Sequence, residues 1–227
     1  MKVEKVVISI GGSILIPDKN DSVYMKELAH MISELKEKVQ MVVVCGGGKV
    51  ARYYTCTASE LGASTYDQDI LGIGATRLNA ELFALALGES TDIPLTAADA
   101  AKKSKPGKVV VMGGTEPGHT TDAVAAMVAE QLDAHRVVNA TSVDAVYTDD
   151  PRKNPDAKKI LNMTVKELGD LVYKEHGAGK SSVFDPLGVK IATERKIDIM
   201  IVDGRNIDEL RNAILGQTIH GTFVNSR

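Results

Sequence analysis

Three glycine clusters carry the first hint of chemistry in this chain. Gly11-Gly12-Ser13, Gly46-Gly47-Gly48 and Gly113-Gly114-Thr115 each follow a short apolar run. Glycine lets backbone N–H groups approach an anion with no side chain in the way. A helix starting just beyond such a turn adds the positive end of its dipole. A tight turn accounts for any one cluster, but three at successive strand ends point to phosphate. The third runs on as TEPGHTTD (115–122), rich in small and hydroxylated residues and free of lysine. No Walker loop is present, because GGGKVAR has the wrong spacing. No G-x-G-x-x-G follows the first apolar run, which disfavours a dinucleotide site.

Charged and polar side chains near these turns suit phosphate chemistry. Arg52 stands four residues beyond Gly48, where a guanidinium neutralises transferring charge; a surface ion pair explains the spacing equally well. His119 and Thr120 are placed to donate to a phosphate or ring oxygen. Asp122 opens the following helical pattern, either as its N-cap or as a carboxylate that orients cationic groups or Mg²⁺. Lys190, in DPLGVK, reads either as a second catalytic cation or as a solvated helix residue.

Positioning these groups requires strands that end together. Apolar, β-branched runs at Lys5–Ile10, Met41–Cys45, Lys108–Met112, Arg136–Ala140 and Ile197–Val202 read as buried strands. Helical periodicity covers 22–38, 76–88 and 122–134, with Gly88 suited to a helix C-terminus, and a further helix is expected over 49–62. Strands and helices in alternation imply an open, mostly parallel α/β sheet, whose ligands lie beyond the carboxyl ends of the strands. The polar stretch 141–163, with Pro151 and Pro155, breaks the alternation and opens a second lobe that closes on a strand in ILGQTIHGTFVN.

The chain has 227 residues, 44% hydrophobic and 25% charged, which suffices for one full core. A formal net charge of −3 gives no general attraction to nucleic acid or to acidic membranes. No apolar stretch approaches the roughly 20 residues of a membrane span. The start, MKVEKVVISIGGS, enters a strand and not a signal sequence. A soluble, cytoplasmic protein is expected. Two cysteines, Cys45 and Cys56, lack histidine at ligand spacing, so no metal site is expected; Cys45 reads as a buried, reduced thiol.

The motifs IGGS, GGGKVAR, GGTEPGHTTDAVAA, TSVDAVYTDDPRKNPDAKKI and SSVFDPLGVKIA occur in that order. By them the chain resembles the amino acid kinase family, in its archaeal branch acting on UMP, from Val6 to Thr222. The PGHTTD stretch and the VDAVYTDDPRKNP stretch are far more specific than the first two motifs. The resemblance implies a three-layer α/β/α sandwich as one domain over 1–227, with an acceptor lobe over 1–140 and a mainly ATP-binding lobe over 141–227. It implies phosphoryl transfer from ATP to UMP with Mg²⁺ held mainly by the ATP phosphates, and a homohexamer. UMP would meet Gly47, Asp69, Arg77, Thr115, Glu116, Pro117, Gly118, His119, Thr120 and Thr121. ATP would meet Ser9, Gly11, Gly12, Ser13, Gly48, Arg52, Thr141, Ser142, Tyr147 and Asp150. Arg52, Asp122 and Lys190 would serve catalysis.

Within this resemblance, Arg77 falls at a helix N-terminal end and meets the UMP phosphate. Asp69 and Asp150 are loop carboxylates without a basic sequence partner, suited to ribose hydroxyls. Tyr147 offers an apolar face to a purine, and Asp149 caps the turn before Pro151. Two positions depart from the family pattern. Ser9 stands where many relatives carry a phosphate-bridging lysine, so Lys190 or Arg52 must supply that charge. Ser142 stands where asparagine is common, which implies altered ATP contacts. Two rivals share these features: a kinase of the same fold acting on carbamate, an amino-acid carboxylate or an isoprenoid phosphate, and a non-catalytic nucleotide-binding assembly.

Overall fold

The computed structural model describes residues 3–17, 22–177 and 183–227. Its strands are β1 (Glu4–Ile10), β2 (Val39–Cys45), β3 (Val109–Met112), β4 (Arg136–Thr141), β5 (Val146–Tyr147), β6 (Lys159–Ile160), β7 (Asn162–Thr164), β8 (Asp198–Asp203) and β9 (Thr222–Asn225). Its helices are α1 (Gly12–Leu15), α2 (Ser22–Leu35), α3 (Gly48–Glu60), α4 (Thr65–Leu87), α5 (Ala97–Lys103), α6 (Thr121–Leu132), α7 (Val165–Gly177), α8 (Pro186–Arg195) and α9 (Ile207–Leu215). All five runs expected as strands are strands.

Seven strands form one sheet in the order β3-β2-β1-β4-β8-β9-β7. β1 pairs in parallel with both β2 and β4, so that Ile8 faces Val43 on one side and Val138 on the other. Successive residues of a strand point to opposite faces, and both faces here are covered. Val7, Val42, Val110 and Val137 pack with residues of α6, α7 and α8; Ile8, Val43, Val111 and Val138 pack with α2, α4 and α9. The result is the expected three-layer α/β/α sandwich. Because the central strands run in parallel, all three glycine clusters fall along one edge of the sheet.

Two features of α4 correct the sequence reading. α4 begins at Thr65, capped by Ser64 Oγ accepting from Asp67 N at 3.2 Å, and not at 76; Gly72 and Gly74 masked its first half, although helices tolerate glycine at about 1 kcal/mol each. Its end was legible, with Gly88 in the left-handed region at φ 67°. α4 is also long and apolar enough by composition to cross a membrane, contrary to expectation. Here Phe83, Ala80 and Ala84 bury one of its sides in the core. The closing strand expected in ILGQTIHGTFVN is β9, which lies between β8 and β7, antiparallel to the first and parallel to the second.

Candidate functional site

The first two glycine turns cross backbone to backbone. A Cβ on Gly12 would stand 2.0 Å from Gly48 N, and one on Gly48, at φ +59°, would stand 2.4 Å from Gly12 O. Mutual packing of the turns therefore demands these glycines before any ligand does. The crossing is anchored to the sheet, since Gly46 N donates to Ile10 O and Gly11 N to Ala140 O, both at 2.9 Å. Buried Asn79 on α4 holds the second turn, donating to Gly46 O at 2.8 Å and Gly47 O at 3.2 Å. Ser13 follows on α1, exposed.

The third turn rests on the same helix. Thr76 Oγ1 accepts from Gly114 N at 2.6 Å, and Arg77 donates to Gly114 O at 3.1 Å and Thr115 O at 2.9 Å. Arg77 lies in the middle of α4 and not at its N-terminal end, and much of its guanidinium is committed to this turn. Asp69, on α4 and not in a loop, accepts from Gly118 N at 2.8 Å. Residues 115–121 are thus held at their start, Thr115, and at their middle, Gly118. Within them, buried Thr115 Oγ1 and His119 Nδ1 have no hydrogen-bond partner, although the latter lies 3.4 Å from Glu116 Oε1. Glu116 and Gly118 are exposed, Pro117 and Thr121 half-buried. An unpaired buried polar atom costs about 1–3 kcal/mol, so this loop holds polar capacity that the protein itself leaves unused.

A serine–carboxylate pair sits beside it. Ser9 is buried and donates to Asp122 Oδ1 at 2.8 Å. Burial pushes the Asp122 carboxyl up to about 6; the Ser9 hydrogen bond opposes that rise and the charge of Asp185 adds to it. The α6 cap is Thr120, whose Oγ1 accepts from Ala123 N at 3.2 Å, so Asp122 is free of that duty. Arg52 is exposed in the second turn of α3, and Lys190 is exposed on α8. Neither forms an ion pair among the described residues.

The expected adenosine residues fall at the ends of β4 and β5. Thr141 O accepts from Gly204 N at 2.9 Å, and Ser142 O accepts from Arg205 at 3.2 Å. Tyr147 is partly buried, its hydroxyl donating to Asp144 at 3.0 Å. For Asp144, burial favours the neutral carboxyl, yet bonds from Lys159 and Tyr147 outweigh it and hold the group below the usual range. Asp150 corrects the sequence reading: Arg152, two residues on, folds back with Nε and Nη2 at 3.0 and 3.2 Å from its carboxylate and holds it well below the usual range. Asp149 accepts from Asp150 N and Asn154, as a turn cap does.

The structure thus gathers the three glycine turns, Ser9, Asp122 and residues 115–121 at one sheet edge. The sequence reading missed Asn79, Thr76 and Asp185. The first two are buried polar residues on the apolar side of α4, a legible signal. Asp185 stood inside a quoted motif, immediately before a proline, as an N-cap does; Ser181 and Ser182 of that motif lie outside the described residues. It also missed Asp203 and Arg205, whose bidentate pair flanks Ser142.

The sequence model of the amino acid kinase family matches residues 4–203. A uridylate kinase from Methanothrix thermoacetophila is 45% identical over 224 residues, spanning 97% of this chain and 99% of its own. One from Methanococcoides burtonii is 44% identical over 217 residues, spanning 94% and 92%. The crystal structure of uridylate kinase from Archaeoglobus fulgidus matches with a TM-score of 0.87 at 40% identity, over 97% of this chain and 99% of that one. A UMP kinase structure from Bacillus anthracis, at 20% identity and a TM-score of 0.80, shares the fold over 98% of this chain and 96% of its own.

Proposed function

This chain belongs to the amino acid kinase family, and we propose that it transfers the γ-phosphoryl group of ATP to UMP, giving ADP and UDP. The observation that carries the reading is the loop 115–121, clamped by Arg77 and Asp69, with Thr115 Oγ1 and His119 Nδ1 buried and unbonded. Such preorganised polar atoms, beside the start of α6, suit a nucleoside monophosphate. They do not suit the apolar pocket an isoprenoid acceptor needs. The full-length uridylate kinase relatives support the same choice.

The chemistry asks for positioning and charge, with little covalent work by the protein. A UMP phosphate oxygen is already anionic at neutral pH, so no general base is required. UMP is held by Gly47, Asp69, Arg77 and residues 115–121. The ATP phosphates meet Ser9 to Ser13, Gly48 and Arg52, and adenosine meets Thr141, Ser142 and Tyr147. Asp150 keeps a role there only by sharing its carboxylate with Arg152. Arg52 and Lys190 supply the cations that Ser9 does not. Mg²⁺ carried by the ATP phosphates would supply charge neutralisation there, and Asp122 would be the carboxylate that orients the cationic groups. Residues 1–140 form the acceptor lobe and 141–227 mainly the ATP lobe. The enzyme is cytoplasmic and works as a homohexamer; the exposed apolar side chains of α3 and α4, Tyr53, Tyr54, Leu78 and Leu82 among them, support assembly.

The test is an ADP-release assay with ATP, Mg²⁺ and a panel of UMP, CMP, dUMP, carbamate, glutamate and isopentenyl phosphate. Selective turnover with UMP is expected. Turnover with another acceptor overturns the substrate. ATP binding without any turnover overturns catalysis and favours the nucleotide-binding assembly.

A further inference from the structure

Asp185 makes more bonds than a helix cap needs. Its Oδ1 accepts from Leu187 N at 2.8 Å and Gly188 N at 3.2 Å, capping α8. Its Oδ2 accepts from Thr120 Oγ1 at 2.8 Å. The oxygen of that same threonine caps α6 through Ala123 N. One Thr–Asp hydrogen bond therefore ties the starts of two helices that pack against each other. Both ends of the tie are held. On one side, Phe184 is fully buried and Val183 O accepts from Asn139 of β4 at 3.2 Å, which fixes the approach to Asp185. On the other, Asp69 and Arg77 fix the loop that ends in Thr120.

We propose that Asp185 is a positioning residue, latching the acceptor loop to α8 and so setting where the acceptor phosphate stands relative to the ATP lobe. The role rests on the UMP-phosphorylating reading of the site. Capping alone would be served as well by serine; the carboxylate adds a second oxygen, so that Oδ2 reaches Thr120 while Oδ1 caps α8. The carboxylate is selected by the second bond. An in-line transfer is sensitive to such placement, since a misplacement of about 1 Å costs about 10²-fold in rate.

The discriminating variant is Asp185→Ser, which keeps a cap on α8 and removes the latch. Its kcat should fall about 10- to 100-fold, with KM for ATP and for UMP within about twofold of the parent. In the unliganded protein, amide exchange at residues 121–124 should quicken about five- to tenfold while residues 187–191 of α8 stay protected. Thr120→Ser, which retains the hydroxyl, should keep the parent exchange rates at 121–124. The proposal fails if Asp185→Ser retains kcat within about twofold, or if exchange at 121–124 is unchanged, or if α8 loosens by the same factor. The two readings separate cleanly. A parent enzyme that ignores UMP sinks the substrate assignment, and the exchange rates still decide the latch.

Discussion

Arg52 is exposed on α3 and forms no ion pair among the described residues, so removing its guanidinium costs the fold little, within about 0.5 kcal/mol. Arg52→Ala should nonetheless lower kcat by about 10²–10³-fold if the cation acts in the transition state; steady-state kinetics beside thermal unfolding checks both halves. Asp122 gives the opposite pairing. A carboxyl whose pKa is higher folded than unfolded favours the folded state while protonated. That contribution is complete below the ordinary value of 3.8 and is lost as pH rises through about 6. Asp122→Asn should therefore stabilise the protein at pH 8 by at most about 3 kcal/mol and leave it unchanged at pH 3, as urea titrations at the two pH values would show. Turnover should move the other way. In the parent, kcat/KM should fall as pH drops through about 6, and the variant should lose that limb along with most of its activity.

At the scale of elements, the crossing of the Gly12 and Gly48 turns is the least tolerant feature of the site. A methyl at either position meets backbone atoms at 2.0–2.4 Å, which only a backbone shift relieves. Gly12→Ala and Gly48→Ala should each cost about 2 kcal/mol or more and lower activity with stability, measured by thermal unfolding. Sequence showed these glycines as a group but not their reason, because the crossing joins turns far apart in the chain. The start of α4 was hidden for a related cause. Its first turns carry few apolar residues facing the core, so periodicity is weak there, and the Ser64 cap is the one local signal. The consequence reached the site: Arg77, placed at a helix start by its sequence surroundings, instead stands mid-helix and holds the acceptor loop.

At the scale of the whole molecule, the outer side of α3 and α4 carries exposed apolar surface. Leu71, Leu78, Leu82 and Leu85 recur at helical spacing on α4, all exposed, with Tyr53 and Tyr54 of α3 also exposed. The proposed homohexamer predicts a light-scattering mass of six chains. Leu82→Glu, charged but exposed in one chain, should reduce that mass while circular dichroism stays unchanged. An unchanged mass would place the contacts elsewhere.

Sequence alone determined the strand ends, the three glycine turns, the layer order and the family, because these rest on local pattern: apolar runs of strand length, helical periodicity and motifs of short span. It also singled out Arg52, Asp122 and the 115–121 loop by residue type. Tertiary structure alone decided who holds whom. Ser9 meets Asp122 across 113 positions and Thr120 meets Asp185 across 65. Asp69 reaches Gly118 only because α4 lies against the end of β3. Parallel strands bring distant segments to one edge through crossover connections, and no spacing along the chain records which side chains meet there.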